Sequence, residues 1–364
     1  MARVEYSGGP SIEEVRGRVK AARIHKLSSN ENPLGPSPRV LEAMREAMAS
    51  LQRYPPRGDE QLRQALAAHH GRTLTPEHFT TANSGYEVID LIGRAFLRAG
   101  DAVVISSPTY RAYGWSAERQ EAAVVDVRLM PDAFALDIDG VLTAIGERTR
   151  LVFLCNPSNP TGALVPAPIV GRLLDRLPDG AVLVADEVYS HYVDDPAFPD
   201  SLAHVLEGRP LIVVQSFSKA YGLAGLRLGY AIGRPDLIER VARLRRPFHL
   251  GELALRAGVA ALSDQAHLAA SVALAREGRA FLAHELRRLG VPSWPSQANF
   301  VLFRPPLPAR DVFERLIERG IMVRPTDSNG LPGHLRVSAG LRESNEAFVR
   351  ALAEVLGEGS PCRG

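Results

Sequence analysis

Leu211 to Gly233 reads LIVVQSFSKAYGLAGLRLGYAIG. Its first six residues, Leu211–Ser216, form an apolar run with the length and β-branched content of a strand covered on both faces. A lysine, Lys219, follows Ser216 and Ser218. Gly222 and Gly225 then let the backbone turn closely, an arginine stands at Arg227, and Gly229–Gly233 opens a second strand. A dinucleotide loop is not expected, because the G-x-G-x-x-G order is missing and a strand follows instead of a helix. Working outward, the region from about 80 to 230 repeats the pattern. Candidate strands Ala102–Ser106, Ala123–Val127, Leu151–Cys155 and Ala181–Asp186 alternate with helical segments, each ending in a polar or Gly/Pro-rich turn. This is the signature of an α/β protein with a mainly parallel sheet, which places ligands at the carboxyl ends of its strands.

Helical spacing is found at 11–20, at 38–52, at Val88–Leu97 and through a long region from 235 to 289. Asn299–Phe303, a helix near 309–319, Ile321–Arg324 and Leu335–Ser338 predict a smaller α+β unit. The chain divides into an N-terminal arm at 1–30, a large domain at 31–250, and a connecting helix with a small domain at 251–364, the boundary falling near 245–280.

Composition narrows the chemistry. At 364 residues, 45% hydrophobic and 23% charged, the chain has the composition of a soluble two-domain protein. A formal net charge of +2 gives no case for nucleic acid or an anionic membrane. No apolar stretch reaches the ~20 residues of a membrane span, and Met1–Lys20 lacks the apolar run of a signal peptide. The two cysteines, Cys155 and Cys362, make neither a disulfide framework nor a metal site, so a cytoplasmic location and no metal are expected. Of 43 basic residues only Lys20, Lys26 and Lys219 are lysines. Arginine cannot form an imine, and Lys219 is the lysine that lies in an apolar, Gly-rich setting.

A phosphorylated aldehyde cofactor needs an amine for the imine, and hydroxyls with a guanidinium for the phosphate; Lys219, Ser216, Ser218 and Arg227 supply that set. Val182–Asp186 is an apolar strand ending in a carboxylate. Asp186 is placed to keep a pyridine nitrogen protonated, and Tyr189 to reach a ring hydroxyl. Asn159, in the turn Asn156-Pro157-Ser158-Asn159-Pro160-Thr161-Gly162, is a hydrogen-bond donor for the same oxygen. Ser84-Gly85-Tyr86 offers backbone N–H groups at a helix start. Tyr110 follows a strand where its ring can stack on the cofactor. Taken singly, each has a plainer reading: a helix cap for Asp186, a Pro/Gly turn for Asn159, a simple helix start at Ser84, a core or rim ring for Tyr110. Their common placement at strand ends favours the cofactor.

These motifs resemble the aspartate-aminotransferase fold, fold type I of the pyridoxal-phosphate (PLP) enzymes, and within it the histidinol-phosphate aminotransferase family. The resemblance runs from Tyr6 through Leu27–Pro38, Arg53-Tyr54-Pro55, the segments above, Ser296–Phe300 and Gly320–Arg324 to Leu335–Asn345. It implies a seven-stranded, mainly parallel sheet in the large domain and pyridoxal 5'-phosphate as cofactor. Lys219 would form the Schiff base and move the substrate proton, Asp186 would pair with the ring nitrogen, and Tyr189 and Asn159 would contact the ring oxygen. Tyr110 would stack on the ring, while Ser84, Gly85, Tyr86, Ser216, Ser218 and Arg227 would hold the phosphate. Tyr54 would reach that phosphate from a neighbouring subunit, which implies a homodimer with shared sites. Arg336 would grip the substrate's acidic group, assisted by Arg324, with Tyr6 and Asn32 lining the pocket.

The implied reaction passes the amino group of histidinol phosphate to 2-oxoglutarate in a ping-pong cycle. Two stretches depart from the family pattern: Tyr86 stands where an acidic residue is usual, and Arg246–Gly251 lacks small polar residues after its Pro-Phe pair. They leave three other readings open. One is an aminotransferase for an aromatic amino acid or a natural-product intermediate, another a related decarboxylase. The third is a non-catalytic PLP-binding protein, although no helix-turn-helix region precedes residue 28.

Overall fold

A computed structural model of the protein describes residues 9–19, 21 and 23–358. Its strands, in chain order, are β1 (His25–Lys26), β2 (Phe79–Ala82), β3 (Ala102–Ser107), β4 (Ala123–Arg128), β5 (Thr149–Cys155) and β6 (Val182–Asp186). They continue with β7 (Leu211–Ser216), β8 (Gly229–Gly233), β9 (Phe300–Phe303), β10 (Ile321–Met322), β11 (Arg324–Pro325) and β12 (Leu335–Ser338).

Seven strands form one sheet in the order β2-β8-β7-β6-β5-β3-β4. β4, β3, β5, β6 and β7 run parallel, and β8 is antiparallel to both β7 and β2. β5, β6 and β7 are almost wholly buried, as their continuous Val/Ile/Leu content requires of strands with helices on both faces. Their side chains supply two separate cores. One includes Leu154, Leu183 and Val213; the other includes Phe153, Val184 and Ile212. The alternation between cores along β6 is the period-two rule of a strand.

Two features differ from the sequence reading. β4 is an edge strand, with Ala123 and Val124 exposed and Val125 and Val127 only half-buried, so an apolar run alone did not mark full burial. β2 was not foreseen: Phe79-Thr80-Thr81-Ala82 is half threonine, yet all four residues are buried because the strand pairs with β8 under the helices.

A three-stranded antiparallel sheet, β11-β12-β9, lies apart from the large one. It shares a third core with the second half of the helix Gln265–Arg288 and with the helices Ala309–Glu318 and Arg342–Glu358. The long helical region resolves into Pro235–Ala242, Glu252–Ser263 and Gln265–Arg288. Ala257 and Ala261 of the middle helix belong to the large-sheet core. Among the described residues no helix is long and apolar enough to cross a membrane.

Candidate active site

The chain leaves β3 for β4 at one edge, then returns to lay β5 on the other side of β3. In open α/β sheets, crevices form at such a switch, beyond the carboxyl ends of the strands. A cavity of about 420 Å³ opens there, lined in part by Cys155 at the end of β5, Asp186 at the end of β6 and Ser216 at the end of β7. The parallel register sets Cys155 beside Asp186, and Asp186 beside Val214.

Asp186 is buried, at 3% exposure. The hydroxyl of Tyr113 donates to its Oδ2 at 2.6 Å, and the Val188 N–H approaches Oδ1 at 3.4 Å. Burial pushes its carboxyl up to about 6, against the lowering pull of these two donors and of Lys219. Such a carboxylate, dehydrated and short of cationic neighbours, is suited to a protonated ring nitrogen. Tyr113 is held by stacking on Phe153, with ring centroids 4.7 Å apart. The neighbouring Cys155 thiol is driven up to about 12 by burial and by Asp186, so it stays neutral and passive.

Lys219 extends from the loop after β7 into the cavity. Its Nζ donates to the Ser29 carbonyl at 3.1 Å and stands 5.8 Å from the centroid of the Tyr189 ring. Burial first, and Arg336 second, pull its ammonium down to about 8. The loop is fixed by glycine: Gly222 has φ +71°, and a Cβ there would lie 2.2 Å from the Gly35 carbonyl oxygen.

The other end of the cavity is an anion cradle. Ser84, Gly85 and Tyr86 begin the helix Ser84–Phe96 and line the cavity with Ser216, Ser218 and Arg227. Ser84 has φ 88°, a left-handed value that costs a residue with a side chain about 1–3 kcal/mol. The turn closes directly onto β8, where a Cβ on Gly229 would stand 2.4 Å from the Gly85 nitrogen. Helix-start N–H groups, two hydroxyls and a guanidinium form a donor set for a phosphate dianion.

The remaining wall comes from the small sheet. Antiparallel pairing sets Arg324 opposite Arg336, and both are buried and line the cavity. Arg336 donates to the Asn159 side-chain oxygen and, at 2.9 Å, to the Ser28 carbonyl. Tyr110 lines the cavity with its ring edge-on to Tyr113, centroids 5.8 Å apart. The Tyr189 hydroxyl accepts from Asn30 at 2.9 Å.

One expectation needs correcting. Asn32 does not line the cavity: its amide donates to the Ala220 carbonyl at 3.0 Å and the Ser271 hydroxyl at 2.8 Å, bracing the lysine loop from behind. The asparagine that reaches the cavity is Asn30, whose φ of 53° turns the chain so that the two asparagines part. Tyr54 is 84% exposed and stacks on Phe248, ring centroids 5.1 Å apart. It is not among the residues that line the cavity of its own subunit. Tyr6 lies outside the described residues. Tyr113 was missed; it stands in the first turn of the helix Ala112–Glu118, three residues after Tyr110.

No group of three or more His, Cys, Asp or Glu among the described residues could hold a metal ion. The buried carboxylate, the cavity amine and the anion cradle fit pyridoxal 5'-phosphate at its ring nitrogen, aldehyde and phosphate.

Comparison with known proteins agrees with this geometry. Residues 22–352 match the sequence profile of the family described as aminotransferase class I and II. The chain is 40% identical to a histidinol-phosphate aminotransferase of Symbiobacterium thermophilum, over 97% of this chain and 96% of that one. It is 42% identical to another from Anaeromyxobacter sp. (strain Fw109-5), again over 97% and 96%. Its fold is similar to the crystal structure of histidinol-phosphate aminotransferase from Sinorhizobium meliloti in complex with pyridoxal-5'-phosphate. The TM-score is 0.87 at 28% identity, covering 98% of this chain and 96% of that one.

Proposed function

The chain belongs to the class I and II aminotransferases, enzymes that use pyridoxal 5'-phosphate, and from that premise we propose that it exchanges the amino group of histidinol phosphate with 2-oxoglutarate. The observation that carries the substrate is the pair Arg324 and Arg336, buried side by side on the cavity wall. Their planar guanidinium forks suit either a phosphate or a carboxylate, so one anchor serves both halves of the exchange.

The bound cofactor supplies an electron sink that makes loss of the substrate Cα proton feasible. The chain's own residues do the rest. Arg336, held by Asn159 and the Ser28 carbonyl, fixes the acidic end of the substrate. Lys219, lowered to about 8, has an appreciable neutral fraction near pH 7. That amine would take the Cα proton as a general base whose pKa lies near the working pH, holding it on Nζ as an ammonium. Asp186 holds a proton at the ring nitrogen, with Tyr113 orienting the carboxylate. Tyr189, accepting from Asn30, keeps its own O–H available for the ring oxygen. The Ser84–Tyr86 backbone, Ser216, Ser218 and Arg227 anchor the phosphate.

The working form would be a homodimer in the cytoplasm. Exposed Leu41, Met48, Leu51, Tyr54 and Phe248 favour a partner subunit over open water. Within each subunit we place the domain boundary in the helix Gln265–Arg288. Its Leu268 and Ala275 join the large-sheet core, whereas Leu282 and Leu286 join the small one.

The test is a panel of amino donors added to the PLP-loaded enzyme, following loss of the cofactor's visible absorbance and formation of the oxo product. Histidinol phosphate should convert faster than phenylalanine or tyrosine. Equal rates with the aromatic amino acids, or carbon dioxide release without an oxo product, would overturn the proposal.

A further inference from the structure

We propose that Arg111 recognises the second anionic group of a dicarboxylic substrate, so that one cavity can serve both partners of the exchange. The inference rests on the reading that those partners are a phosphate monoester and a dicarboxylate.

Arg111 follows Tyr110 in the turn between β3 and the helix Ala112–Glu118, and it lines the cavity. It enters from the large sheet, whereas Arg324 and Arg336 enter from the small one. Its direction is fixed at two points. The guanidinium lies 5.3 Å from the centroid of the Trp115 ring, and Nη1 donates to the Ser328 carbonyl at 3.2 Å. The Ser328 carbonyl takes one of the five N–H donors of the fork. No carboxylate among the described residues pairs with Arg111, in contrast to Arg63, Arg245 and Arg279, which hold Asp59 or Asp194.

The charges of the cavity make this cation conspicuous. Lys219, Asp186 and Arg227 are taken up by the cofactor, and Glu31 pairs with Lys26 at 2.7 Å. Among the described residues, the other guanidiniums that line the cavity are Arg111, Arg324 and Arg336. A phosphate monoester has one anionic group, for which the adjacent Arg324 and Arg336 suffice. Glutamate carries a carboxylate at each end of a five-carbon chain. Two neighbouring guanidiniums on one wall cannot satisfy both ends, and a desolvated carboxylate left without a partner is costly. Arg111, coming from the other sheet, supplies the second contact. Its position beside Ser328 and Asn329 also means that a dicarboxylate held at both ends would bridge the two sheets.

The test uses the PLP-loaded enzyme with two unreactive probes, glutarate and glycerol 3-phosphate, bound under calorimetry. It also measures the separate half-reactions with glutamate and with histidinol phosphate. Arg111→Met should weaken glutarate and lower kcat/KM for glutamate by about 10- to 100-fold, the size of one lost charge-assisted contact. The same variant should change glycerol 3-phosphate binding and the histidinol phosphate half-reaction by less than about threefold. Arg111→Lys should recover part of the glutarate affinity. Asn329→Ala removes the 3.1 Å contact to the Thr109 carbonyl and loosens the same loop without changing charge, so it should weaken both probes alike. Equal losses for both probes in Arg111→Met, or a glutarate-selective loss in Asn329→Ala, would overturn the proposal. A wild-type enzyme inert to histidinol phosphate, with glutarate binding still dependent on Arg111, would sink the donor assignment and leave this one standing.

Discussion

The Tyr113 hydroxyl donates to the Oδ2 of Asp186 at 2.6 Å, at the carboxyl end of the central strand β6. Burial lifts the Asp186 carboxyl from 3.8 to about 6, and the Tyr113 hydrogen bond opposes that rise. The folded apoenzyme therefore holds the Asp186 proton to higher pH than the unfolded chain, and this group's contribution to stability falls as pH rises from about 4 to 6. Cofactor binding runs the other way, because the ring nitrogen needs the ionised carboxylate. PLP affinity should climb with pH through about 6 and then level off. Tyr113→Phe removes a lowering influence, moving that climb to higher pH and weakening PLP at pH 7 by about tenfold. Titrating apoenzyme with PLP across pH 5 to 8 checks it, and an unchanged profile would count against the role given to Tyr113.

Lys219 has the opposite sign. The folded apoenzyme releases its proton near 8, whereas an ordinary lysine does so near 10.5. Below 8 the cavity carries a cation that it disfavours, and raising the pH from 8 toward 10.5 favours the folded state. Lys219→Met should therefore make the apoenzyme more stable at pH 7, by about 1–3 kcal/mol, with the gain shrinking as pH approaches 10. The same variant should lose turnover by a factor on the order of 10³ or more, if Lys219 serves as both imine former and proton carrier as proposed. Urea unfolding at several pH values gives the first result and steady-state assays the second. A less stable Lys219→Met apoprotein at pH 7 would contradict the burial cost assigned to the lysine.

Much of this site could be read from the chain because its parts are strand ends. A buried strand announces itself by continuous Val, Ile and Leu, and the polar residue that stops it is the one exposed to the crevice. Asp186 and Ser216 are read that way, and Lys219 and Asn159 from the turns that follow such strands. Tyr113 was not, because it sits on a helix whose apolar face looks like ordinary packing until the rings meet Phe153 and Asp186. Asn30 and Asn32 were exchanged for a different reason. An extended chain would present both on one side, and only the positive φ at Asn30 separates them. β2 escaped notice because the burial of Thr80 and Thr81 is imposed by tertiary pairing with β8, which local pattern does not contain. Arg111 carries no local signal that sets it apart in an arginine-rich chain.

The two glycines of the phosphate cradle should behave differently. A Cβ on Gly85 meets nothing closer than the Val188 Cγ1 at 3.7 Å, an ordinary contact. Gly85→Ala should fold normally and bind PLP within about threefold of wild type. A Cβ on Gly229 would stand 2.4 Å from the Gly85 nitrogen and 2.5 Å from the Ser84 carbonyl carbon. Backbone cannot rotate aside as a side chain can, so Gly229→Ala must displace the helix start that faces the phosphate. Expected are a loss of about 1–3 kcal/mol of stability and PLP binding weakened by at least about tenfold. Thermal denaturation with and without PLP measures both. Equal tolerance of the two substitutions would argue against the cradle.

Tyr54 tests the dimer. Its ring is 84% exposed, held at 5.1 Å from Phe248, and absent from its own cavity. If it completes the phosphate cradle of a partner, Tyr54→Ala should weaken PLP binding while leaving the fold intact. Complementation then separates this from any local effect. Neither Lys219→Ala nor Tyr54→Ala should be active alone at limiting PLP. When the two are mixed and allowed to exchange subunits, half the dimers become hybrids. In a hybrid, the subunit that retains Lys219 receives Tyr54 from its partner, while the other site lacks both. Random pairing therefore predicts recovery of about one quarter of wild-type activity per subunit, since a two-fold symmetric dimer has two equivalent shared sites. No recovery after verified exchange would mean that Tyr54 does not complete a partner's site.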